Sequence, residues 1–231
     1  MGFFSGAGAF FSGLGFIVVT PRMWPRAMVP VLAALVVFGG LMAGGIYGAM
    51  AYTHGVYVVL LAVPVAILSV VLALSLATPL SGWALDGIVR AQRRALGLPE
   101  LPAASVLAAT LSSIRAALFA LLVGTPVIVL LTLVGWVAPP AGVVTVPLKL
   151  YVGALMVAWN LADYPLAMQG AGVGARLRWV GRHFGSFNGF ALASVAFFLL
   201  PGLGLLALPF GVAGAARLVG LETAAPPRLT R

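Results

Sequence analysis

The chain has 231 residues, of which 62% are hydrophobic and only 7% charged, with a mean hydropathy of +1.15. A water-soluble domain carries about 25% charged residues to cover its surface, so a soluble globular fold is excluded and lipid is the main solvent. The net charge of +9 sits in short arginine clusters between apolar runs, which is the pattern of loops facing anionic lipid and not of a nucleic-acid surface. With no cysteine, disulfides, thiolate metal sites and thiol nucleophiles are excluded as well.

Residues 1–26 form an uncharged, Phe- and Gly-rich start followed by a short basic stretch. Phe3, Phe4, Phe10, Phe11, Leu14 and Ile17 recur at helical spacing with glycines and serines between them. The expectation is an interfacial helix with its aromatics in the membrane, not a signal peptide, because no basic segment precedes the apolar run. Residues 27–85 carry no formal charge and are read as a two-span hairpin, Val31–Ala51 and Val56–Thr78, since a span needs about 20 apolar residues. Gly40, Gly44 and Gly48 recur every fourth position on the first span, a bare face suited to helix packing. Pro64 is expected to bend the second span.

Residues 86–115 read as a cytoplasmic connector and helix, with Asp86 and Arg90 one turn apart in the favourable order and Trp83 as an interfacial anchor. Residues 116–148 form a hydrophobic segment broken by Gly124-Thr125-Pro126 and by Pro139-Pro140. It is either a hairpin of short half-helices or one kinked span with an interfacial piece. Residues 149–183 hold Asp163-Tyr164-Pro165 and a basic loop, preceded by an apolar stretch, Val143–Ala162, that either spans or lies along the interface. Residues 184–216 are read as a re-entrant hairpin turning at Pro201-Gly202-Leu203-Gly204, and 217–231 as a polar tail. The whole is one membrane domain: an all-α integral membrane protein with two long spanning helices and Gly/Pro-broken hydrophobic hairpins.

No catalytic set, metal site or cofactor motif is visible. His54 and His183 lie near different boundaries, the four acids are scattered, and no phosphate loop or nucleophile elbow occurs. The suggestive constellation is Thr20–Arg26. There Arg22 and Arg26 stand beside the start of the first span, where a helix N terminus and guanidinium charges can hold an oxyanion. The competing reading is that both arginines mark the cytoplasmic side and bind lipid headgroups.

Several short elements, in order, resemble the CysZ-type sulfate permease / etoposide-induced protein family. They are Gly15-Phe16 leading to Pro21 and Pro30, Pro79 followed by Leu85-Asp86, Leu161-Ala162-Asp163-Tyr164-Pro165, and Leu200-Pro201-Gly202 continuing to Pro209 and Val212-Ala213-Gly214-Ala215. The resemblance implies a CysZ-like, all-helical bacterial inner-membrane protein with long spans, partly penetrating hairpins and homo-oligomeric assembly. In the sulfate-transporting branch it also implies sulfate uptake. Pro21, Pro79, Asp163, Tyr164, Pro165, Pro201 and Gly214 are then structural motif residues. That branch binds its anion at a Gly-Leu-Arg element after the N-terminal proline; here Pro21 is followed by Arg22-Met23-Trp24, so Arg22 and Arg26 supply charge from neighbouring positions. The function expected is a small-anion channel or transporter. The alternative is a non-transporting assembly or homeostasis protein acting by helix–helix contact.

The arginine clusters place both termini, Arg90–Arg94 and Arg176–Arg182 in the cytoplasm. Single cysteines at Thr53 and Arg178 are therefore expected to differ: an impermeant thiol reagent labels Thr53→Cys from outside and leaves Arg178→Cys unlabelled in sealed cells. The opposite result inverts the topology.

Overall fold

The computed structural model describes residues 2–52, 58, 61–62, 65–66, 69, 73, 80–101, 106–199 and 204–224. Most of the expected second span, with Pro64 and Pro79, the turn at Pro201 and the last residues of the tail lie outside them. Every regular element among the described residues is helical: α1 Phe3–Val19, α2 Trp24–Tyr52, α3 Gly82–Ala95, α4 Val106–Val137, α5 Gly142–Met168, α6 Val173–Arg182, α7 Phe184–Phe198 and α8 Gly204–Ala224. Short 3₁₀ turns at Pro21–Met23 and Pro139–Ala141 precede α2 and α5.

Among the described residues, three stretches are long and apolar enough to cross a membrane: Pro21–Tyr52, Pro139–Met168 and Leu206–Thr223. At 1.5 Å per residue, α2 and α5 reach about 43 and 40 Å, more than the roughly 30 Å hydrocarbon core. The third differs in environment. Of its apolar window 72% is buried inside the protein, against 17% for each of the other two. So α2 and α5 offer their sides to lipid, while α8 is the internal helix, packed by α1, α2, α3, α5 and α7. The 15 residues of α7 extend only about 22 Å, short of a full crossing.

The packing of α1 is set by glycine. Its buried face is Gly6, Ala9, Phe10, Gly13 and Ile17, and it lies against α7 and α8. A Cβ at Gly6 would strike the Ser186 carbonyl, one at Gly13 the Gly214 backbone, and one at Gly189 the Phe3 carbonyl. One at Gly214 would sit 2.9 Å from the Ala9 oxygen. Around this backbone contact, Phe10 meets Phe190 and Phe197 edge-on with ring centres 5.9 and 5.7 Å apart. The expected interfacial helix thus accounts for only one side of α1, where Phe3, Phe4 and Phe11 are exposed; the other side is core.

Two expectations need correction. Gly124-Thr125-Pro126 does not interrupt the chain: α4 runs through it as one helix of 32 residues. The glycine there serves a close approach, since a Cβ would fall on the Met156 side chain of α5. Gly135 faces Thr145 near the turn and Gly124 faces Met156 about three turns further along, so α4 and α5 form an antiparallel hairpin closed at Pro139–Ala141. The stretch expected to be a basic loop is partly helical, as α6. As for Gly40, Gly44 and Gly48, a Cβ at any of them meets no described atom within 4 Å, so among the described residues this face is open. Glycines that carry close internal contacts among the described residues include Gly6, Gly13, Gly124, Gly189, Gly211 and Gly214.

Gly13→Leu is expected to unseat α1 and lower the melting temperature in detergent, with a cost of at least about 1–3 kcal/mol from overpacking. Gly44→Leu is expected to lower the melting temperature less than Gly13→Leu and to act mainly on oligomeric state, read by light scattering after size exclusion. Equal destabilisation by both would overturn this division.

Candidate functional site

The joint between α1 and α2 carries the two arginines singled out by sequence. After Val19 the chain turns through Pro21–Met23, with the Met23 N–H bonded to the Thr20 carbonyl at 2.8 Å and the Trp24 N–H bonded to Pro21. Pro21 and Pro25 have no N–H. The backbone donors expected at this helix start are therefore largely consumed or missing, and an anion here would rely on side chains. Met23 is buried; Arg22 and Arg26 are exposed. Among the described residues no hydrogen bond or ion pair holds either guanidinium. The Arg26 side chain lies across α3, with its Cδ and Nε 3.1 Å from where a Cβ of Gly87 would stand. The Trp24 indole N–H donates to the Ile17 carbonyl at 3.1 Å and so satisfies an acceptor at the end of α1.

Next to Arg26 on α3 stand Asp86 and Arg90. Burial pushes the Asp86 carboxyl up, and the Arg90 charge one turn on pulls it back. Tyr164 of α5 lies within electrostatic reach of Asp86, and α3 packs against α5.

The ends of α3 and α5 are built alike. Gly97 and Gly170 take positive φ, 67° and 74°, a conformation that favours glycine. Leu98 N–H bonds back to the Arg93 carbonyl at 3.0 Å, and Ala171 N–H to Leu166 at 3.1 Å. Both are Schellman turns that satisfy the last carbonyls and reverse the chain. After α5 the reversal delivers Arg176 to Asp163. The two side chains are 1% and 5% exposed and pair directly, Nη1 to Oδ1, while Arg176 Nε donates to the Ala171 carbonyl at 2.8 Å. The basic loop thus carries a buried charge that closes on the D-Y-P aspartate.

A second polar group joins the end of α6, the start of α7 and the end of α8. Glu222 Oε1 accepts from the Ser186 hydroxyl at 2.9 Å, and its Oε2 lies 3.6 Å from His183 Nε2. His183 Nδ1 is 2.8 Å from the Trp179 carbonyl, and the two rings lie 5.0 Å apart. Sequence reading left His183, Ser186 and Glu222 unconnected, because 36 residues separate Ser186 from Glu222. Among the described residues no group of three His, Asp or Glu could hold a metal ion.

The family model described as "Sulfate transporter CysZ/Etoposide-induced protein 2.4" matches residues 9–209. The chain belongs to this family. Curated proteins give no match. Membership makes the chain a membrane protein of a transporter family, and its motif residues acquire physical roles. Asp163 of the CysZ-like D-Y-P element is half of a buried ion pair, and Pro165 is buried inside α5. Gly214 receives the backbone of α1. Trp24 donates its indole N–H to the Ile17 carbonyl at the end of α1 and contributes no charge.

Breaking the Asp163–Arg176 pair from one side leaves a buried charge unmatched, so Asp163→Leu or Arg176→Met alone is expected to cost about 3–5 kcal/mol. The double variant Asp163→Leu/Arg176→Met is expected to cost markedly less than either single change. Thermal unfolding of the four proteins in detergent, as a double-mutant cycle, checks this.

Proposed function

We propose that this chain carries or conducts a small oxyanion, sulfate foremost, across a bacterial inner membrane, with both termini in the cytoplasm and no catalytic step. The observation that carries the reading is the family match over residues 9–209 on a bundle with span-length helices. The cation surplus, 13 Lys and Arg against 4 Asp and Glu, supports an anion as the species handled. Buried Asp163 and Glu222 both have partners, which favours passive conduction over a carrier driven by a titrating acid. The open Gly40, Gly44 and Gly48 face supports homo-oligomeric assembly.

In this reading Arg22 and Arg26 form the cytoplasmic anion site. They lie one helical turn apart at the start of α2, exposed and unpaired among the described residues, with Arg26 steadied against Gly87. A hydrogen bond from a charged donor contributes about 1.5–3 kcal/mol. Arg22→Gln/Arg26→Gln is therefore expected to weaken sulfate binding at least about tenfold while the protein still inserts. Calorimetric titration with sulfate and uptake of labelled sulfate into proteoliposomes test the two halves of the proposal. Equal binding by the wild type and the double variant rejects the site. Absence of uptake rejects transport and leaves the non-transporting, interaction-based function.

A further inference from the structure

The C-terminal turn of α3 carries a second concentration of positive charge, separate from Arg22 and Arg26. The Schellman turn at Gly97 folds the following segment back over the helix, and three arginines hold it. Arg90 Nη1 donates to the Leu101 carbonyl at 2.6 Å, Arg93 Nη2 to the Pro99 carbonyl at 3.1 Å, and Arg94 pairs with Glu100 at 2.6 Å. Between helix and segment lies a cavity of about 30 Å³, lined by Arg90, Arg93, Arg94, Leu98, Glu100 and Leu101.

Arg93 is the anomalous member. It is only 7% exposed, and among the described residues its Nε and Nη1 have no acceptor. A buried guanidinium with idle donors is costly, and such groups in folded proteins ordinarily have a partner. Leu98 and Gly220 of α8 close one side, with Nη1 3.5 Å from where a Gly220 Cβ would be. Glu100, the carboxylate in the cavity lining, is spent on Arg94 at the exposed rim, where both side chains are 74% accessible. Three arginines against one glutamate leave the lining strongly positive. Burial pulls the Arg93 guanidinium below its ordinary value, because desolvation penalises the charged form.

We propose that this cavity binds a phosphate- or sulfate-type oxyanion, with Arg93 in its buried wall and Arg90 and Arg94 at its mouth. The volume, about 30 Å³, suits a tetrahedral anionic group. That group can arrive as the free ion or as the headgroup of an anionic lipid, because α3 is an amphipathic, arginine-rich helix of the kind that lies on anionic membranes. The site does not depend on the transport reading or on Arg22 and Arg26.

The test uses full-length protein in neutral detergent, titrated calorimetrically with inorganic phosphate and with sulfate. In parallel, native mass spectrometry measures retention of phosphatidylglycerol against phosphatidylcholine. The proteins are the wild type, Arg93→Gln, Arg93→Lys, Arg90→Gln/Arg94→Gln and Arg22→Gln/Arg26→Gln. Anion binding that survives in Arg22→Gln/Arg26→Gln but falls at least about tenfold in Arg93→Gln, with partial recovery in Arg93→Lys, supports a free-ion site. Selective phosphatidylglycerol retention lost in Arg93→Gln, without binding of either free ion, supports a lipid headgroup. If Arg93→Gln does not fold, the exposed pair Arg90→Gln/Arg94→Gln carries the comparison and is expected to weaken binding in the same arm. Wild-type binding in both the Arg93 and the Arg90/Arg94 variants overturns the proposal, as does no binding of any of these ligands by the wild type.

Discussion

The arrangement of this bundle depends on backbone meeting backbone where α1 crosses α7 and α8. In a bilayer, lipid tails are as apolar as leucine, so burying apolar surface between helices brings little gain, and close van der Waals packing must hold them. Gly6, Gly13, Gly189 and Gly214 provide it by removing the side chains that would stand between the main chains. Each glycine lowers the intrinsic stability of its helix by about 1 kcal/mol, and the contact it permits offsets that cost. Once α1 is seated, α8 is enclosed on several sides, and the remaining helices pack around a core of small and medium residues such as Ala213, Ala215, Ala216 and Val219.

The buried acids among the described residues, Asp163 and Glu222, are matched near helix ends. Asp163 closes on Arg176, and Glu222 on Ser186 with His183 beside it. Two glycine turns, at Gly97 and Gly170, reverse the chain and bring the arginines of α3 and α6 to their partners. The acids of the interior are engaged, whereas guanidinium groups remain in excess at the α1–α2 joint and under the α3 turn. A protein with this distribution is suited to attract and hold anions, and its buried acids are poorly placed to exchange protons with water.

The membrane class, the first span and the order of the motif elements were legible in the chain, because span length and hydropathy are local properties set by bilayer thickness. Gly40, Gly44 and Gly48 have the regular spacing that marks a packing face and meet no described atom, while close contacts among the described residues include those of Gly6, Gly13, Gly189 and Gly214, whose spacing is less regular. Gly124-Thr125-Pro126 read as a break, because glycine and proline disfavour an isolated helix. Packing against α5 keeps α4 continuous there.

Sequence by itself determined that the chain lives in lipid, where its first span lies, which family it belongs to, and that cations outnumber acids. Tertiary structure alone decided which charges are spent and which are free. Arg176 and Arg93 look equivalent as letters in basic stretches. One is matched by Asp163, brought to it across 13 residues by the Gly170 turn. The other is buried beneath the Gly97 turn, its Nε and Nη1 without an acceptor among the described residues. The difference is one of desolvation and distance in three dimensions, and neither quantity is carried by the order of residues along the chain.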